Sequence, residues 1–154
     1  MHKGVVVLLL LLMAALPAAA QSCNVSATPM LFPAYNAFSG TASQTTSTVT
    51  VTCTGLLFIG VTYEARLGPG HSGNILSRAM AHSSRPDTLG YQVRLNSHSG
   101  PVWGNGTQGS VFTGTMLLGV FSRTHTRTVY GQVPAGQQVH SGSYADAPVM
   151  TIIY

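Results

Sequence analysis

The chain of 154 residues carries seven Lys and Arg against three Asp and Glu, a net charge of +4 at pH 7 with neutral histidines. So few charges exclude a highly charged disordered segment. The single lysine, Lys3, excludes Schiff-base chemistry and a P-loop from everything downstream. Residues 1–20 read as a secretory signal peptide. His2 and Lys3 form a short basic start, residues 5–16 are an apolar core too short for a membrane span, and Ala18-Ala19-Ala20 is a small-residue cleavage site before Gln21. The mature domain is then residues 21–154, long enough for one modest core. It holds 17 Thr, 15 Ser and 16 Gly, a composition that points to an all-β secreted domain. Its six arginines, at 66, 78, 85, 94, 123 and 127, face only Glu64, Asp87 and Asp146. They are too scattered for nucleic acid, and no nucleic-acid partner is expected. A surface this poor in charge suits a member of an assembly better than a free monomer.

Cys23 stands near the start of the first expected strand. In Thr48-Val49-Thr50-Val51-Thr52-Cys53-Thr54 the valines and Cys53 share one face and four threonines the other, which is a half-buried antiparallel strand. Two cysteines in an exported chain imply one disulfide, Cys23–Cys53, with Cys23 approaching from inside the core. The rival reading, metal ligation, lacks companion ligands, because no CxxC or HxxxH spacing occurs. Residues 61–67 alternate and end at Gly68-Pro69-Gly70, a turn signal. Residues 89–95 put Leu89, Tyr91, Val93 and Leu95 on one face, and Gly104-Asn105-Gly106 marks a tight turn. Strands at 111–115, 124–133 and 144–154 complete the set, with Pro134-Ala135-Gly136 before the last. That last strand is expected to run to the end with Met150, Ile152 and Tyr154 facing the core. No window past residue 20 has a helical period, so the expectation is an antiparallel sandwich of about six or seven strands.

Catalytic patterns are weak. Gly70-His71-Ser72-Gly73 is a serine nucleophile loop in outline only, because no mature histidine precedes His71 and position 74 is Asn, which breaks the GxSxG elbow. A polar turn is the simpler reading. Three acids offer few carboxylate pairs, and the histidines at 71, 82, 98, 125 and 140 are isolated. The chain is therefore expected to be no enzyme, with no cofactor, no metal and no small-molecule substrate.

An ordered set of segments resembles the spore coat protein U domain, found in subunits of archaic (Csu-type) chaperone–usher pili. The segments are Cys23-x-Val25-x-Ala27-Thr28, the strand at 48–54, Leu89-Gly90-Tyr91, and Val102-Trp103-Gly104-Asn105-Gly106-Thr107. Val129-Tyr130-Gly131-Gln132-Val133-Pro134-Ala135-Gly136-Gln137 and Gly142-Ser143-Tyr144-Ala145-Asp146 follow, with the closing Tyr154. Asn105 and Gln132 stand where Asp and Arg are expected, and Pro148 interrupts the usual alternation, so it should lie at a strand start or an unpaired edge.

The resemblance implies an immunoglobulin-like sandwich lacking its final strand, exported through the periplasm to the cell surface. The implied partners are a periplasmic pilus chaperone, an outer-membrane usher, and a neighbouring pilus subunit bound by donor-strand exchange. Met150, Ile152 and Tyr154 would belong to the strand-acceptor groove. A donor strand needs roughly ten extended residues, and only Gln21 and Ser22 precede Cys23, so a tip position is expected. Leu56-Leu57-Phe58-Ile59 and Met116-Leu117-Leu118-Gly119-Val120-Phe121 break the alternation. Either they are buried on both faces, or they form apolar adhesive loops at one end, with Leu57, Phe58, Leu117 and Leu118 as the contact residues for surface attachment and biofilm formation.

Overall fold

The computed structural model describes residues 21–55, 60–117 and 122–154. The expected signal peptide lies outside the described residues. Among the described residues nine strands form: β1 (Ser22–Ala27), β2 (Ser43–Thr54), β3 (Gly60–Leu67), β4 (Arg78–His82), β5 (Thr88–Leu95), β6 (Phe112–Leu117), β7 (Arg123–Val133), β8 (Tyr144–Ala145) and β9 (Met150–Ile153). They build a six-stranded sheet in the order β1-β2-β7-β5-β4-β8 and a three-stranded sheet in the order β6-β3-β9. All strand pairs are antiparallel. The sheets curl around one core as an immunoglobulin-like sandwich, with no α-helix among the described residues. A 3-10 turn, Gly70–Ser72, stands where a plain turn was expected.

Alternation is converted directly into burial. Val49, Val51 and Cys53 of β2, Val61, Tyr63, Ala65 and Leu67 of β3, and Leu89, Tyr91, Val93 and Leu95 of β5 are all buried. Threonines take the outer faces and meet across strands, with hydroxyl pairs Thr52–Thr124 and Thr62–Thr115 each at 3.2 Å. Cys23 and Cys53 form a disulfide. Cys23 reaches Cys53 from the adjacent strand, not across the core. The two are register partners on β1 and β2 with Cα atoms 4.0 Å apart, the close spacing of a non-hydrogen-bonded antiparallel pair.

The two sheets are tied by Arg78 and Trp103. Arg78 on β4 is 1% exposed, and its guanidinium donates to carbonyls that belong to different layers. Nε and Nη2 donate to Gly68 O (2.9 and 2.8 Å), Nη2 also to Leu67 O (3.0 Å) and Trp103 O (2.8 Å), and Nη1 to Gln92 Oε1 (3.1 Å). Leu67 and Gly68 lie at the end of β3 in the small sheet, whereas Gln92 lies on β5 in the large one. Trp103 bridges the same gap: its backbone N–H donates to Val93 O (2.8 Å) and its indole N–H to Ala65 O (3.0 Å). Burial pushes the Arg78 pKa down, and the nearby Tyr91 and Asp146 push it back up.

Three expectations are corrected. β2 begins at Ser43, five residues before the apolar alternation, and Ser47 takes a buried position by donating its hydroxyl to Thr28 O at 2.6 Å. β4 was not expected at all, because its inward positions are Arg78 and Met80. The single strand expected over residues 144–154 is two strands in different sheets: β8 pairs with β4, and β9 pairs with β3. Pro148, which has no N–H to donate, lies between them, just ahead of β9.

Replacing Arg78 with Met should leave the carbonyls of Leu67, Gly68 and Trp103 without their donor and lower the unfolding free energy by about 3 kcal/mol, read from a urea transition. The double variant C23S/C53S should lose about 3.7 kcal/mol by the chain-entropy estimate for a loop of this length. A double variant that unfolds at the wild-type urea midpoint would contradict this.

Candidate functional site

Among the described residues each sheet ends on an open strand, and two of these open edges meet on the same side of the sandwich. β1 is the last strand of the large sheet, β9 is the last of the small one, and they approach each other. Hydrogen-bond parity shows which backbone groups are unused. Thr28 N–H donates to Thr48 O at 3.0 Å, and Gly68 N–H donates to Val149 O at 2.9 Å. Antiparallel ladders alternate, so the backbone groups of Cys23, Val25 and Ala27 on β1, and of Met150 and Ile152 on β9, point away from their single neighbouring strands. The side chains of Val25, Met150 and Ile152 are half-buried against the core. Both edges therefore offer unused donors and acceptors beside inward apolar side chains.

Where Ala27 ends β1 and Met150 begins β9, a cavity of about 400 Å³ opens at one end of these edges. Val49, Val93, Trp103 and Val129 line its floor. Residues 27–32 form one wall, and Tyr144, Ala145, Asp146, Pro148 and Met150 form the other. The first wall is held by packing on β7. A methyl group at Gly131 would collide with Met30 Sδ and the Phe32 ring, so a glycine there is what lets that wall lie flat. Phe32 also stacks edge-on to Tyr91, with ring centroids 6.2 Å apart. Downstream, Tyr35 is fixed by donating its hydroxyl to Pro134 O (3.1 Å) and accepting from Gln137 N–H (2.7 Å). Gln137 pairs its side-chain amide with both backbone groups of Gly90, at 2.7 and 2.9 Å, in place of a strand neighbour.

One polar network interrupts the apolar lining. Asp146 sits where the chain leaves β8 for the other sheet, and its carboxylate accepts from Tyr91 O–H (2.7 Å), His71 N–H (2.8 Å) and Ala147 N–H (2.8 Å). Gly70 has φ of 70° and lies so close to Asp146 that a Cβ would strike the carboxylate. Burial, then the hydrogen bond to Asp146 and its charge, push the Tyr91 phenol well above its ordinary value of 10.0. Among the described residues, no group of three or more His, Cys, Asp or Glu is placed to hold a metal.

Met150 and Ile152 lie together on the β9 edge. Tyr154, expected on the same core-facing side, lies past the end of β9 and is 54% exposed. Once β9 ends, no ladder keeps the alternation going. Leu117 ends β6 and is 64% exposed, whereas Leu57, Phe58 and Leu118 lie outside the described residues. The positions bordering both apolar segments share one end of the domain, since Gly60 pairs with Leu117 and Cys53 with Arg123. Sequence reasoning missed Met30, Phe32, Tyr91 and Asp146 as groove residues. Residues 28–38 carry no period, and only the pair of glycines at 70 and 131 hinted at close approach.

The sequence matches the Spore Coat Protein U domain family over residues 9–151. It is also similar to Protein U of Myxococcus xanthus, with 34% identity over 111 residues. That match covers 71% of this chain and 59% of Protein U, so the chain spans less than two thirds of that relative.

Replacing Tyr91 with Phe should cost about 2 kcal/mol at neutral pH by removing a hydrogen bond to a carboxylate. A raised phenol pKa contributes stability that is present below the unfolded value and lost as pH rises through the folded one. Wild-type stability should therefore fall from about pH 10 upward, and Tyr91→Phe should show a shallower alkaline slope in urea titrations. Tyr63 is shifted in the same direction by its burial, so part of the slope should persist.

Proposed function

The chain belongs to the Spore Coat Protein U domain family, and we propose that it is an exported structural and adhesive subunit of a chaperone–usher pilus that accepts a strand between β1 and β9. The observation that carries this reading is the pair of facing open edges, with half-buried Val25, Met150 and Ile152 beside unused backbone groups, over a cavity of about 400 Å³. An inserted strand would satisfy those backbone groups and set every second side chain into the cavity, which is strand addition. A periplasmic chaperone would fill the groove first and a neighbouring subunit later, with an outer-membrane usher handling the exchange. No catalytic role is part of the proposal.

Surface attachment and biofilm formation belong to the same reading. Leu117 is exposed at the end of β6, at the end of the domain where both apolar segments join the described strands. A tip position would make that end the leading surface. A second reading, a coat or cell-surface structural protein outside a fibre, is favoured by the family's description as a spore coat domain. Such a protein would need no donated strand.

A peptide of alternating apolar residues should raise the melting temperature of the purified domain, the gain reaching about 2.7 kcal/mol at a hundred times its Kd. Met150→Asp should remove the response. A domain equally stable with and without the peptide supports the coat reading instead. Replacing Leu57, Phe58, Leu117 and Leu118 with Ser should abolish attachment to plastic while leaving export intact, as counted by adherent cells and surface immunoblot. Blocked export would place these residues in the core.

A further inference from the structure

Beyond the cavity floor at Val129, the inward face of β7 has a different chemistry. β7 pairs with β2 along its whole length, but with β5 only over residues 129–132. Among the described residues, residues 123–128 thus have a strand neighbour on one side only, and all six are exposed. Their inward positions follow from Val129 and Val133, which are buried, so Arg123, His125 and Arg127 stand on the core-facing side. Their register partners Cys53, Val51 and Val49 confirm this, being buried on the same face. Three basic side chains are therefore lined up along one extended strand at roughly 7 Å intervals.

The stripe is held in place by the core rim. The Arg127 guanidinium lies 5.8 Å from the centroid of the Phe112 ring, and His125 Nδ1 shares a hydrogen bond of 3.1 Å with the Tyr63 hydroxyl. No acidic side chain of the chain is left to neutralise it. The three acids are engaged elsewhere: Glu64 with Arg66, Asp87 with His140, and Asp146 with Tyr91. For the same reason a second copy of this chain cannot supply the missing charge, so the complement must be a different molecule.

We propose that Arg123, His125 and Arg127 form a binding surface for an acidic polysaccharide, a linear polymer with carboxylate or sulfate groups that meet the three side chains in turn. A row of evenly spaced basic side chains, with arginines at its two ends four residues apart on an extended strand, fits a polymer of spaced anions better than one compact phosphate. Among the described residues the stripe's aromatic neighbours, Tyr63 and Phe112, are buried and offer no face on which the bases of a single strand could stack, which favours the polysaccharide over single-stranded nucleic acid. The proposal does not rest on strand acceptance, which uses the β1 and β9 edges.

The test is binding of the exported protein to immobilised heparin and immobilised alginate, with uncharged dextran and single-stranded DNA alongside, across a salt series. Salt-sensitive retention on heparin, alginate or both is expected, with none on dextran, and the two matrices separate sulfate from carboxylate recognition. The double variant R123Q/R127Q should bind roughly tenfold more weakly, with an unchanged melting temperature. R85Q, which removes an equal charge from an exposed loop elsewhere, should bind as wild type does. Should the double variant fail to be exported, R123Q alone, at the first residue of β7, should still weaken binding about threefold. Wild-type binding by the stripe variants, an equal loss in R85Q, no binding by wild type, or tighter binding to DNA than to either polysaccharide would each overturn the proposal.

Discussion

A single buried guanidinium sets the geometry on which the rest of this sandwich depends. Arg78 is the kind of group a small core normally rejects, since an ion taken out of water costs several kcal/mol unless its hydrogen bonds are replaced. Here they are replaced by carbonyls of Leu67, Gly68 and Trp103 and by the Gln92 side chain. These acceptors belong to both sheets and to the segment between them. The charge can be satisfied only when the sheets sit at one separation and one offset. Tyr91 and Asp146 then extend the same polar seam across the interior to the point where the chain changes sheets. Apolar burial holds the layers together, but it is non-directional. The polar seam supplies the direction.

That seam also explains why one side of the sandwich is open. Arg78, Trp103 and Asp146 fasten β3, β4 and β5 to one another, and none of their hydrogen bonds reaches β1 or β9. The free edges are kept together only by the half-buried side chains of Val25, Met150 and Ile152 and by the wall of residues 27–32. The firmly tied part of the domain thus frames a groove, and on the proposed reading a strand added at its rim would leave the layers behind it undisturbed. Exposed edges of this type are an aggregation hazard in an isolated domain. A role in which another chain covers them resolves that conflict.

Much of this was legible in the sequence, for a definite reason. The strands at 48–54, 61–67 and 89–95 carry strict alternation, and the same period governs both the pattern and the side-chain directions. The cysteine pair followed from export and count alone. β4 was hidden because its deepest position holds Arg78, whose acceptors are backbone carbonyls without any sequence signature. The split of residues 144–154 was hidden for a related reason. Asp146 reads as a polar residue at a strand start, and only the approach of Tyr91 and His71, 55 and 75 positions away in sequence, turns it into a crossing point. At the groove, Met150 and Ile152 were visible as an apolar face, whereas Tyr154 was misplaced because alternation says nothing about where a ladder stops. The stripe on β7 was passed over for a different cause: counted with the other arginines, Arg123 and Arg127 look scattered, and that they share the core-facing side with His125 shows only once β7 is paired with β2.

The cross-strand disulfide has a mechanical consequence. Cys23 lies one residue inside β1, and its covalent partner Cys53 lies one residue from the end of β2. A tensile force entering the domain from the N-terminal side would pass through the sulfur bridge into β2 before it could strain the four register pairs from Asn24↔Thr52 to Ala27↔Val49. β1 cannot be peeled away pair by pair from that end. The load is delivered instead to a strand that is clamped along eleven pairs to β7 and must be sheared as a unit. One covalent link placed at the margin of the sheet thereby moves the point of mechanical failure from the edge to the interior.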